Sequence, residues 1–267
     1  MDEPKPPFSD HFNGFLAHCE ELRLMSIITE LGAQNLCTMG DAIETISTLP
    51  AEEFDAAMKS YFPSVKDLET VQTLAAFAKL EQSRGMVVLH GWLLPSIWSG
   101  LEHLIENVLV DLLLHFPAVW QRENLKKVEV SIALFTSLDA ASRALYLIEQ
   151  LERKLSAPLK KGVGRFEEIL NAFGLGGDVD ADLRAKMMEL SQIRNLLVHQ
   201  RGVADKRFLT DCPNVPAKLG ERLHLTHEYA MSLQIAVIDY AMLVQQRIGL
   251  ELLGLEPISY NETDSLE

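Results

Sequence analysis

A chain of 267 residues with 48% hydrophobic side chains is long enough to bury one large core or two small ones, which excludes an intrinsically disordered protein. A formal net charge of −14 excludes a surface coated with cations for nucleic acid. Three scattered cysteines, Cys19, Cys37 and Cys212, exclude a disulfide framework and point to a reducing, cytoplasmic compartment. The most apolar run, residues 86–98, is too short to span a bilayer and is interrupted by His90, Gly91 and Pro95, so neither a targeting segment nor a membrane anchor is expected.

After a proline-rich leader over residues 1–8, a helix is predicted over 9–31, with Phe12, Phe15, Leu16, Cys19 and Leu22 on one side. Gly32 and Gly40 punctuate the next stretch, and Asp41 caps a short helix ending near Leu49 and Pro50. Residues 51–61 form another helix. Ser64 caps a further one running to about Arg84, where Leu68, Val71, Leu74, Ala75 and Ala78 keep helical spacing, and Gly85 ends it. Residues 1–85 hold 14 acidic and 6 basic side chains, a net −8 that sets them apart as an acidic helical region. That difference predicts that the rest of the chain folds without them, and it suits them to binding a regulatory protein partner.

Residues 86–116 read as one helix kinked at Pro95, with Trp98, Leu101, Ile105, Val108 and Leu112 buried. Glu102 sits one residue off that stripe, either as a boundary carboxylate or facing the Arg194 region. Residues 127–135 are either a short strand or the start of the next helix. Ser137 is the expected cap of a helix whose face is Leu138, Ala141, Leu145, Ile148, Leu151 and Leu155. Lys160-Lys161-Gly162-Val163-Gly164 lacks the order of a phosphate-binding loop and reads as a plain connection. A short helix over 165–173 precedes a glycine-rich break. Next come a helix over 182–199, a long connection over 200–224 and a final helix capped by Thr226, the last facing Leu233, Ala236, Val237, Tyr240, Leu243 and Val244 inward. Residues 256–267 read as a polar, disordered tail. There is no strand–turn–helix rhythm, so the expected fold is all-α, a helical bundle over 86–255 with an additional N-terminal helical segment.

The helix over 182–199 carries the chemistry. With Leu183 at 0° and about 100° per residue, Met187, Leu190, Leu197 and Val198 form one apolar stripe, and Arg194 falls inside it at about 20°. A guanidinium cannot shed its proton, so Arg194 needs an anion, a ligand or a subunit boundary. His199 lies about 140° further round, with Asn195 one turn earlier on its face. Arg194, Arg201, Lys206 and Arg207 against Asp205 make a local +3 able to recruit an anion. His224 and His227 lack the further ligands of a zinc site and read as surface residues, and no metal or cofactor is expected. Trp92, Trp98 and Trp120 read as core.

The run Arg194-Asn195-Leu196-Leu197-Val198-His199 resembles the Arg-x(4–6)-His signature of the HEPN superfamily, and residues 199–208 resemble the turn that comes after it in bacterial members. The resemblance covers roughly residues 90–250. It implies a HEPN-type bundle and a metal-independent endoribonuclease acting on RNA, in phage defence or as a toxin. His199 would move the protons and Arg194 would neutralise the phosphorane, with Asn195 as the third catalytic residue. Arg201, Lys206, Arg207 and Glu102 would line the substrate path. HEPN nucleases commonly compose the site across a two-fold dimer of motif helices, which the divergence of Arg194 and His199 on one helix would require. The alternative is a non-catalytic HEPN-like module that binds a partner protein or a nucleotide. A toxin silenced by nucleotide transfer would carry Tyr two residues after the His, where this chain has Arg201.

Overall fold

The computed structural model describes residues 8–254, and these are all-α. The leader up to residue 7 and the tail from 255 lie outside them. The first helix, α1 (Ser9–Ile46), is continuous over 38 residues, where the sequence predicted a break at Gly32 and a new helix at Asp41. At Gly40 the reason is tertiary. A Cβ there would sit 2.6 Å from Ala75 Cβ, so the missing side chain allows close approach of α3 (Leu68–Ser83). Between them, α2 (Ala51–Tyr61) keeps its predicted bounds and buries no residue. Asp67, not Ser64, caps α3, accepting the Thr70 N–H at 3.2 Å.

The bundle is built round α4 (Val87–His115), which packs against α1, α7 (Ala140–Leu155), α9 (Ala181–Gln200) and α11 (His227–Leu253). Trp98, Leu101, Ile105, Val108 and Leu112 are buried along it, as their spacing predicts. Trp92 and Trp120 are exposed rather than core. The stretch over 127–135, which read as strand or helix, follows a short helix, α5 (Glu123–Lys126), and contains the start of another, α6 (Ile132–Ser137). Ser137 ends α6, and Asp139 caps α7. The remaining α-helices among the described residues are α8 (Gly164–Ala172) and α10 (Lys206–Asp211).

The expected division at residue 85 cuts through the core. Phe8, Phe12, Phe15 and Cys19 are buried in the same cluster as Leu94, Ile97 and Leu101 of α4 and Leu233 and Val237 of α11. Phe8 stacks on Phe116 at 5.5 Å, and Gln234 Nε2 donates to the Cys19 carbonyl at 2.6 Å. Local charge distinguished the segment, but its apolar stripe is what α4 and α11 require. Each buried Phe lost in this way costs about 3–5 kcal/mol. A chain beginning near Gly85 should therefore be molten or insoluble, with dye binding and a lost near-ultraviolet dichroism signal. A cooperative, native-like unfolding transition of that fragment would contradict the shared core.

Candidate functional site

Asp180 starts α9 by accepting the N–H groups of Asp182 and Leu183 at 2.9 and 3.2 Å. The helix ends where Arg201 turns left-handed and the Gly202 N–H, at φ +76°, reaches the Leu196 carbonyl at 2.9 Å. Its middle is buried on several sides by α4, α10 and α11. Met187, Leu190, Ser191, Gln192, Ile193 and Leu196 are all buried. The single stripe read from the sequence is therefore too narrow. It missed Ile193 and Leu196, and it counted Val198, which is 50% exposed. Burial of Ser191 and Gln192 is compatible with their polarity because Ser191 Oγ accepts from the Gly162 N–H at 3.1 Å and from Gln192 Nε2 at 3.0 Å.

In the last two turns the inward side passes to Ile193 and Leu196, leaving Asn195, Val198 and His199 exposed and Arg194 half-buried. Two adjoining cavities open there. The first, about 280 Å³, is lined by Arg194 together with Lys160, Lys161, Arg165, Asn195 and Arg207. The second, about 300 Å³, is lined by His199 with Asp205 and Phe208. Gln192, Asn195 and Arg207 line both, so they stand between Arg194 and His199. Asp205 caps α10 by accepting the Phe208 N–H at 2.7 Å, and it also accepts from Gln200 at 2.8 Å. Those two bonds hold its carboxyl below the usual carboxylate range, so it is an anion at neutral pH.

The cations of the first cavity are not equivalent. Lys160 pairs with Glu168 at 3.2 Å, Lys161 with Asp211 at 2.5 Å, Arg165 with Glu102 at 2.5 Å, and Arg207 loosely with Asp211 at 3.8 Å. Among the described residues, Arg194 alone of the five has no carboxylate partner. Its Nη1 donates to Asn195 Oδ1 at a long 3.4 Å, and its Nε is buried without a partner. Such a group carries an uncompensated desolvation cost, which an anion in the cavity would relieve.

Of the residues expected to assist, Arg207 reaches both cavities. Arg201 and Lys206 are exposed and line neither. Glu102 does not face Arg194. It accepts from Trp98 Nε1 at 2.8 Å and from Arg165 Nη1, and it lines a separate cavity with Glu106, Glu149 and Glu152. The one-residue offset from the α4 stripe turned Glu102 toward α8, where Arg165 meets it. Sequence reasoning missed Lys160, Lys161 and Arg165. Their signal was a basic run beside glycines, but nothing in its spacing assigned it to the α9 surface.

No family model, no curated protein and no solved structure matches the chain.

Proposed function

We propose that the chain is a metal-independent endoribonuclease of HEPN type, with Arg194, Asn195 and His199 as its catalytic residues. The observation that carries this reading is Arg194, a half-buried guanidinium without a carboxylate partner, set among four paired cations in a cavity whose Gln192, Asn195 and Arg207 also line the cavity of His199. RNA supplies its own nucleophile. The 2′-OH attacks the adjacent phosphorus, the bond to the 5′-oxygen breaks, and a 2′,3′-cyclic phosphate is left. An imidazole can take the proton from the 2′-OH or give one to the departing oxygen, and a guanidinium fork can neutralise the equatorial oxygens of the phosphorane. Asn195 would hold phosphate or imidazole between them, and Arg207 would guide the neighbouring phosphate.

The two principal residues open into different cavities of one chain, which favours a site composed by two copies. Trp92 of α4 is 76% exposed and Val198 of α9 50%, and the two helices pack against each other. A two-fold dimer through this face would cover both residues and bring two motif helices together. Light scattering should give twice the 29.9 kDa chain mass, and a monomer at every concentration would remove the composite site.

A ribonuclease of this type would act in the cytoplasm, in phage defence or as a toxin. No helix among the described residues is long and apolar enough to cross a membrane. Expression of the wild type in a bacterial host should arrest growth, and His199→Ala should not. Equal arrest by both proteins would detach toxicity from the imidazole. The alternative, a HEPN-like module that binds a partner protein, has one observation in its favour. An apolar groove of about 630 Å³ runs between α1, α3 and α4, past Met25, Phe77 and Trp92.

A further inference from the structure

We infer that Glu30, His90 and His227 form a site for one divalent transition-metal ion of the zinc class, held between α1, α4 and α11. Glu30 lies beyond the middle of α1, His90 in the first turns of α4, and His227 is the first residue of α11. One ligand atom from each lies within 4.8 Å of the others. His227 Nδ1 and Glu30 Oε1 are 2.8 Å apart.

His90 is the residue that demands an explanation. It is 0% exposed, and neither of its ring nitrogens makes a hydrogen bond. The backbone of Gly85 and Leu225 lies near the ring, yet neither ring nitrogen reaches hydrogen-bond geometry with it. Burying an imidazole this way is costly, and a leucine would fill the same space without that cost. A metal ion changes the balance, because it takes the lone pair that no protein donor meets.

The donor set selects the ion. Two neutral imidazole nitrogens and one carboxylate oxygen suit zinc and its borderline neighbours, whereas calcium and magnesium require mostly oxygen. A tetrahedral zinc ion separates its ligand atoms by about 3.4 Å, which small side-chain rotations here would reach. The side chains of His227 and Glu30 are 29% and 23% exposed, leaving a route for the ion and a fourth position for water. Because the ligands come together only in the folded chain, binding is coupled to folding and staples three helices of the bundle. Those helices, α1, α4 and α11, share one core. Metal binding here does not depend on ribonuclease activity and stands if that activity is absent.

The test uses the full chain, dialysed against a chelator and titrated with Zn²⁺ in competition with a chromophoric indicator. Thermal unfolding with and without Zn²⁺ and the visible absorption of added Co²⁺ accompany it. One ion per chain, a raised Tm and an intense, low-coordinate Co²⁺ spectrum are expected. His227→Ala and Glu30→Gln, both at partly exposed positions, should keep the wild-type helical dichroism and weaken binding more than about 100-fold. Loss of a residue that merely supports a metal ligand already costs 10–100-fold. The pair keeps the test decisive even where His90→Ala does not fold. Binding without a Tm shift, or equal binding by both variants and the wild type, would overturn the site and leave a Glu30–His227 ion pair beside an unmetallated His90.

Discussion

Replacing Arg247 with alanine should destabilise the protein by about 3–5 kcal/mol, because it strands a buried carboxylate. Arg247 Nη1 donates to Glu167 Oε1 at 2.8 Å, and both side chains are only 10% exposed. The same oxygen accepts from Tyr240 at 2.7 Å, and Oε2 accepts the Gly177 N–H at 3.1 Å. Burial, with Glu167 beside it, holds the Tyr240 phenol well above its usual range, so it remains a donor. Arg247 Nη2 donates to the Asp178 carbonyl at 2.9 Å, tying α11 to the loop that carries the α9 cap, Asp180. The network therefore fixes both the bundle and the entry of the motif helix. Without Arg247, Glu167 retains only neutral donors. The double variant Glu167→Gln with Arg247→Met should be far less damaging, since the pair's net contribution is small compared with the cost of breaking it. Urea unfolding measures both. A loss under about 1 kcal/mol for Arg247→Ala would mean that water reaches Glu167.

Features were legible in the sequence where local and tertiary causes coincide. The motif helix was expected over 182–199 and runs Ala181–Gln200, because the helical spacing of its apolar residues is a local signal. Thr226 caps α11, also a local signal, accepting the Tyr229 N–H at 3.2 Å. Leu233, Ala236, Val237, Tyr240 and Val244 are buried as their spacing required. Misreadings arose where distant contacts decided. Gly40 looked like a helix break but makes room for Ala75. Residues 1–85 looked separable by charge, yet Phe12 and Phe15 complete the core. At the site, the need of Arg194 for an anion was readable from its place among apolar neighbours. That Glu102 is taken by Arg165 was not readable, nor that Lys160 and Lys161 border Arg194, because these pairings span long sequence separations. His227 read as a surface residue for the same reason, since its neighbours Glu30 and His90 lie more than a hundred residues earlier.

His199→Ala should reduce RNA cleavage by about 10²–10⁴-fold, the usual cost of removing a positioned acid or base. The side chain is exposed, so stability should change by no more than about 0.5 kcal/mol, and the loss will be chemical rather than structural. Arg194→Lys should fail as well, because a point ammonium cannot span two phosphorane oxygens as the planar fork does. Asn195→Ala, at the wall between the two cavities, should fall between the wild type and these two.

The most direct measurement tracks end-labelled single-stranded RNA with wild type, His199→Ala and Arg194→Lys in excess EDTA, with far-ultraviolet dichroism recorded in the same buffer. Cleavage by the wild type alone, leaving 2′,3′-cyclic phosphate ends, is the expected result. Full activity in His199→Ala, or wild-type cleavage that disappears on chelation while the helical signal is unchanged, would contradict the proposed mechanism.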